Sequence, residues 1–122
     1  TFQIRIQRTT AKDFDVVLSG WGPDYNDPMT FLDLWLSTSG QNNTSWASTQ
    51  YDRIINAAKS EVDPAKRMDL LASAEKLLME EMPIVPTFYR KRAALIKPNL
   101  KNVVDRALSP DTDFRFADIQ NN

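Results

Sequence analysis

The 122 residues carry fifteen Lys and Arg against sixteen Asp and Glu, a formal charge of -1, with 42% hydrophobic and 25% charged residues. This profile fits one modest folded core rather than a disordered chain, and it lacks the positive field that draws proteins onto nucleic acid. With neither cysteine nor histidine, the chain cannot build disulfides, thiolate or Ser-His-Asp catalysis, or Cys and His metal sites.

Along the chain, Thr1 to Lys12 reads two ways. Phe2, Ile4 and Ile6 alternate with polar residues as in a strand, yet the stretch also suits a helix packed in a larger parent. The start at Thr1, without methionine, suggests a piece cut from something longer. Residues 14 to 19, Phe-Asp-Val-Val-Leu-Ser, have the β-branched, apolar character of a short strand buried on both faces. Gly20 and Gly22 punctuate its end.

Asp27-Pro28 has a helix-start signature: a capping carboxylate, then proline where its missing N–H costs nothing. Phe31, Leu32, Leu34, Trp35 and Leu36 predict a short apolar helix reaching about Ser37, and the polar run to Ser48 predicts a loop. Thr49 and Asp52 resemble a capping box, with Tyr51, Ile54, Ile55, Ala58 and Val62 at helical spacing behind it. Asp63-Pro64 repeats the cap-plus-proline start. Met68, Leu71, Ala74, Leu78 and Met82 form the stripe of that helix, broadened by Leu70 and Leu77, and Pro83 ends it near Met82.

Beyond it, Ile84 to Tyr89 and Ala93 to Ile96 read as short strands, the first restricted by Pro86 to an edge, bulge or crossing segment. Arg90-Lys91-Arg92 reads as a solvated strand end. Phe114, Phe116 and Asp118 alternate with Arg115, Ala117 and Ile119 as a last strand. The order is strand, three helices, then three strands, an α/β arrangement without internal repeats. No stretch is long and apolar enough to span a membrane, and no signal segment opens the chain.

Three glycines without a Gly-Lys-Ser/Thr give no P-loop, and Gly20-Trp21-Gly22 lacks the third glycine of a dinucleotide fingerprint. No cofactor or metal is expected. Asp24, Asp27 and Asp33 are close enough in sequence for paired-carboxylate chemistry, so a hydrolase using Asp24 and a neighbour is one reading. Asp27 is better explained as a cap, and Asp33 as the polar face of the short helix. Asn42 and Asn43 each match Asn-x-Ser/Thr, a pattern common by chance in polar loops. Asp24 stands at a strand end between Trp21 and Tyr25. Either it caps its own turn, or it is a ligand carboxylate suited to an ammonium group.

The run Asp13-Phe-Asp-Val-Val-Leu-Ser-Gly-Trp-Gly-Pro-Asp-Tyr-Asn-Asp-Pro28, continuing into Phe31-Leu32, resembles the signature segment of oligopeptide and dipeptide solute-binding proteins of ABC importers. Asn42-Asn43, Tyr51-Asp52, Ala74-Glu75, Ile84-Val85-Pro86 with Tyr89, and Lys97-Pro98 extend the match in order over nearly the whole chain. The resemblance implies the C-terminal portion of a two-lobed, type 2 periplasmic-binding-protein-like α/β fold. Residues 1–83 would belong to the second ligand-binding lobe, and residues 84–122 to a hinge crossing with return strands toward the first.

It further implies a binding protein, not an enzyme, that delivers oligopeptides to permease subunits of an ABC transporter. The protein would lie outside the cytoplasm, in the periplasm or as a cell-surface lipoprotein whose anchor is outside this chain. Asp24 would pair with the peptide's α-ammonium, the backbone at Gly20 and Gly22 would hydrogen-bond the ligand main chain, and Trp21 would line a side-chain pocket, with Tyr25 matching the motif. Some members also meet the peptide carboxylate with arginines. One such position corresponds to Leu18 and Ser19 here, and another lies near Arg8, the candidate for that role. Specialised binders of signalling peptides or nickel-type complexes share the fold and are the alternative within it.

Overall fold

In the computed structural model, which describes residues 1–91, 93–106 and 112–120, short polar caps decide where the helices begin. Helix α1 (Phe2–Thr10) starts on Thr1, whose Oγ1 accepts from the Ile4 N–H at 3.4 Å. Of the two readings of this stretch, the helix prevails. Phe2, Ile4 and Ile6 therefore share no common inner face, and all three are exposed. Arg5 ties α1 to the next segment, its Nη1 donating to the Leu18 carbonyl at 2.8 Å.

Asp27 sets the next start. Its Oδ1 accepts from the Met29 N–H at 2.9 Å, and α2 (Met29–Leu32) runs into a single 3-10 turn at Asp33–Trp35. The predicted helix to Ser37 is thus shorter and tightens at its end. Helix α3 (Thr49–Ser60) begins one residue earlier than its expected box: Ser48 is the cap, accepting from the Tyr51 N–H. Asp52 instead accepts from the Ser37 N–H at 2.9 Å, holding the incoming loop. Val62 falls beyond the helix and is exposed.

Helix α4 (Pro64–Glu81) follows its predicted signature. The Asp63 Oδ1 accepts from both the Ala65 and Lys66 N–H groups. Met82 closes the helix in a left-handed conformation, φ 51° and ψ 43°. The core forms where α3 and α4 pack. Tyr51, Ile55 and Ala58 from one meet Leu71, Ala74 and Leu78 from the other, with Met29 and Leu32 of α2 added. The outer stripe positions Met68 and Met82 remain half exposed.

Two links extend this core. The Tyr51 hydroxyl donates to the Leu32 carbonyl at 2.6 Å, and the Tyr51 ring meets Trp46 edge to face at 5.1 Å. Burial, then Asp33 and Asp52, push the Tyr51 phenol well above its ordinary range, so this donor stays protonated. Asn42, buried in what reads as a simple polar loop, donates its amide to the Trp35, Leu36 and Trp46 carbonyls. Its role is to fold that loop, and its engaged amide does not suit a glycan acceptor.

The strand expectations need correction. Residues 14–19 form no strand, and Val16 and Leu18 are 91% and 68% exposed instead of buried on both faces. Residues 84–89 and 93–96 are likewise irregular, with Tyr89 and Leu95 exposed. A strand needs a neighbour's backbone groups, and among the described residues none pairs with these segments. Arg92 lies outside the described residues.

The observed strands are two-residue antiparallel pairs. β1 (Leu100–Lys101) pairs with β4 (Asp118–Ile119), and β2 (Val104–Asp105) with β3 (Thr112–Asp113). The expected single strand over 114–119 breaks at a turn, where the Asp113 Oδ1 accepts from the Arg115 N–H at 3.0 Å. Arg115 and Arg106 both clamp the Asp113 carboxylate, at 2.7 and 2.6 Å, and hold it far below the usual carboxylate range.

Candidate ligand-binding site

The segment from Gly20 to Tyr25 leaves the irregular run at 14–19 and enters α2, so the core reaches it through α2. The buried Thr30 side chain accepts from the Asp24 N–H at 3.0 Å. The Tyr25 carbonyl accepts from the Asp27 N–H at 2.9 Å, closing a tight turn around Asn26. Asp24 is thus positioned by its backbone. Among the described residues its carboxylate carries no hydrogen bond or ion pair, and it faces solvent. The turn-cap reading of its side chain therefore does not hold.

Asp27 is the opposite case. Arg67 of α4 grips it with both arms, Nη1 to Oδ2 at 2.7 Å and Nη2 to Oδ1 at 2.9 Å. This fork, followed by the Met29 N–H, holds the Asp27 carboxyl below its ordinary value although burial opposes it. Planar two-point contact fixes orientation as well as distance. The fork therefore ties the turn that carries Asp24 to the longest helix of the chain. Arg67 gave no separate signal in the sequence, because it lies forty residues from its partner.

Around this frame the charge is mostly negative. Burial raises the Tyr25 phenol above its ordinary value, and Asp33, Asp27 and Asp24 raise it further, with Arg67 opposing. Three carboxylates thus act on one hydroxyl, and only Asp27 is neutralised by a close cation. Trp21 and Tyr25 stand 43% and 44% exposed on either side of Asp24. The two part-exposed rings and the exposed Asp24 thus lie on one short loop.

Gly22 has open space where a side chain would project, while Gly20 lies beneath the Arg90 guanidinium. Arg8, the sequence candidate for a carboxylate contact, is occupied: its Nε donates to the Asp13 Oδ2 at 3.0 Å and to the Asp13 carbonyl. No group of three or more Asp and Glu side chains is arranged to hold a metal ion among the described residues.

No protein-family model matches the chain. Among curated proteins, the oligopeptide-binding protein OppA of Bacillus subtilis is 32% identical over 104 residues, which are 84% of this chain and 19% of that protein. Among solved structures, the substrate-binding domain of an oligopeptide ABC transporter from Bacillus anthracis superposes with a TM-score of 0.87. It is 35% identical, over 98% of this chain and 24% of that one. Listeria monocytogenes OppA, solved bound to peptide, gives a TM-score of 0.81 at 35% identity, over 99% of this chain and 23% of that one.

In sequence and fold the chain matches one part of the substrate-binding proteins of ABC transporters. More narrowly, its homologues are oligopeptide- and dipeptide-binding proteins. It spans about a fifth of the length of the curated relatives it matches.

Proposed function

We propose that this chain is one part of an extracytoplasmic protein that captures peptides and delivers them to the permease of an ABC transporter. The observation that carries the proposal is the free carboxylate of Asp24, held by its backbone between Trp21 and Tyr25 in a chain whose relatives are named as peptide-binding proteins. In this reading Asp24 receives the ligand's α-ammonium. The backbone at Gly20 and Gly22 pairs with the ligand main chain, which is blind to side-chain identity and suits a broad-specificity carrier. Trp21 and Tyr25 border the first side-chain position.

Residues 1–83 contribute to one ligand-binding lobe, and residues 84–122 form the crossing and the return toward the other. Closure of the two lobes excludes water. The ion pair at Asp24 then strengthens as the local dielectric falls. Binding and release replace bond breaking, so a peptide incubated with the full-length protein is recovered uncleaved from a saturable complex. Turnover of the peptide would instead support the carboxylate-hydrolase reading.

A further inference from the structure

Arg90 belongs to a basic trio that reads in the sequence as a solvated strand end, yet its side chain crosses to the ligand loop. Its Nη2, Cζ and Nε lie 3.3, 3.5 and 3.8 Å from the point where a Cβ on Gly20 would stand. The guanidinium therefore covers the bare face of Gly20, and a side chain at that position would displace it. The segment 84–91 has no strand pairing, so this contact links it directly to the loop.

Most other arginines are occupied. Arg5 donates to the Leu18 carbonyl, Arg8 and Arg67 pair with Asp13 and Asp27, and Arg106 and Arg115 share Asp113. Arg90 carries no hydrogen bond or ion pair among the described residues. Its five donors are thus unspent beside a loop whose far end presents the free carboxylate of Asp24.

Resting on the peptide-binding reading above, we propose that Arg90 receives a carboxylate of the bound peptide. Asp24 and Arg90 would then form two opposite poles along one ligand path. Asp24 lies four positions beyond Gly20, a span of at most about 14 Å in extended chain. The carboxylate must therefore lie within roughly the first four ligand residues. Two sources meet that condition: an acidic side chain near the amino terminus, or the terminal carboxylate of a di- to tetrapeptide.

The test measures dissociation constants by calorimetry for the full-length protein and its Arg90→Ala and Arg90→Lys variants. One ligand series has free amines and amidated ends, with Glu or Gln at the second or third position. The other pairs short neutral peptides with free or amidated ends. In the wild type the carboxylate member of at least one series binds roughly 10- to 100-fold tighter than its amide counterpart, the span of a charge-assisted hydrogen bond. Arg90→Ala brings that ratio to about one, and Arg90→Lys keeps part of it because the charge remains without the fork.

The series that shows the preference identifies the source of the carboxylate. Retention of the wild-type ratio in Arg90→Ala overturns the proposal while leaving the Asp24 reading intact. Failure of the wild type to bind any free-amine peptide removes the peptide reading, and this inference with it.

Discussion

Tyr51→Phe is the sharpest probe of how the core supports the ligand loop. The change removes one oxygen and leaves the ring, its edge-to-face contact with Trp46 and its full burial in place. What disappears is the 2.6 Å bond from the hydroxyl to the Leu32 carbonyl, at the end of the helix that carries Thr30 and, through it, the Asp24 backbone. A net hydrogen bond contributes about 1 kcal/mol, and an acceptor left short of a donor in a buried site costs about 1–3 kcal/mol. The expected loss is therefore about 1–2 kcal/mol. Tyr51→Ala also empties the ring's space and should cost about 3–5 kcal/mol. Urea denaturation followed by circular dichroism measures both, with an unchanged slope for Tyr51→Phe. A Tyr51→Phe midpoint equal to wild type would show that the bond contributes nothing, and a Tyr51→Ala loss under about 1 kcal/mol would remove Tyr51 from the core.

Asp27→Ala deletes a helix cap, for which a loss of about 1 kcal/mol is expected, together with the Arg67 fork. Asp27→Asn keeps a cap oxygen but turns an amide toward one arm of the arginine. Because the folded-state pKa of Asp27 lies below its ordinary 3.8, its stabilisation is fully present above that ordinary value and is lost as pH falls through the folded one. Denaturation from pH 7 to pH 2 should therefore show the gap between wild type and Asp27→Asn closing on acidification, and a constant gap would contradict the ion-pair account. Met82→Gly should stabilise by about 0.5–1 kcal/mol, since a half-exposed methionine in the left-handed region gains relief that exceeds glycine's entropy cost. A lower thermal midpoint would refute that. The chain in isolation should show little or no thermal shift with a peptide mixture, because it encloses too little of the ligand to desolvate the Asp24 pair, and a clear shift would contradict this.

The helices were legible where local chemistry decides them. Asp63-Pro64 and the Leu71, Ala74, Leu78 stripe place α4 without reference to the rest of the molecule, and Asp27 acts as the cap its position before Pro28 suggested. The strands expected at 14–19, 84–89 and 93–96 do not form. Apolar composition marks a segment fit for a sheet, but pairing depends on backbone neighbours that the segment does not encode.

The candidate site divides similarly. Asp24, Trp21 and Tyr25 could be singled out from one continuous stretch. Arg67 and Arg90 reach that stretch from residues forty and seventy positions downstream. Nothing local marks either, since an arginine on an α4 surface or in a basic trio is equally well explained by solvent.

The most direct test of the central claim compares Asp24→Ala with wild type in the full-length protein, using calorimetry with matched peptides bearing free or acetylated amino termini. If Asp24 receives the ammonium, affinity for the free-amine peptide falls by roughly 10- to 100-fold, while the acetylated peptide, which has no ammonium to lose, changes far less. An equal loss for both peptides would remove Asp24 from that role.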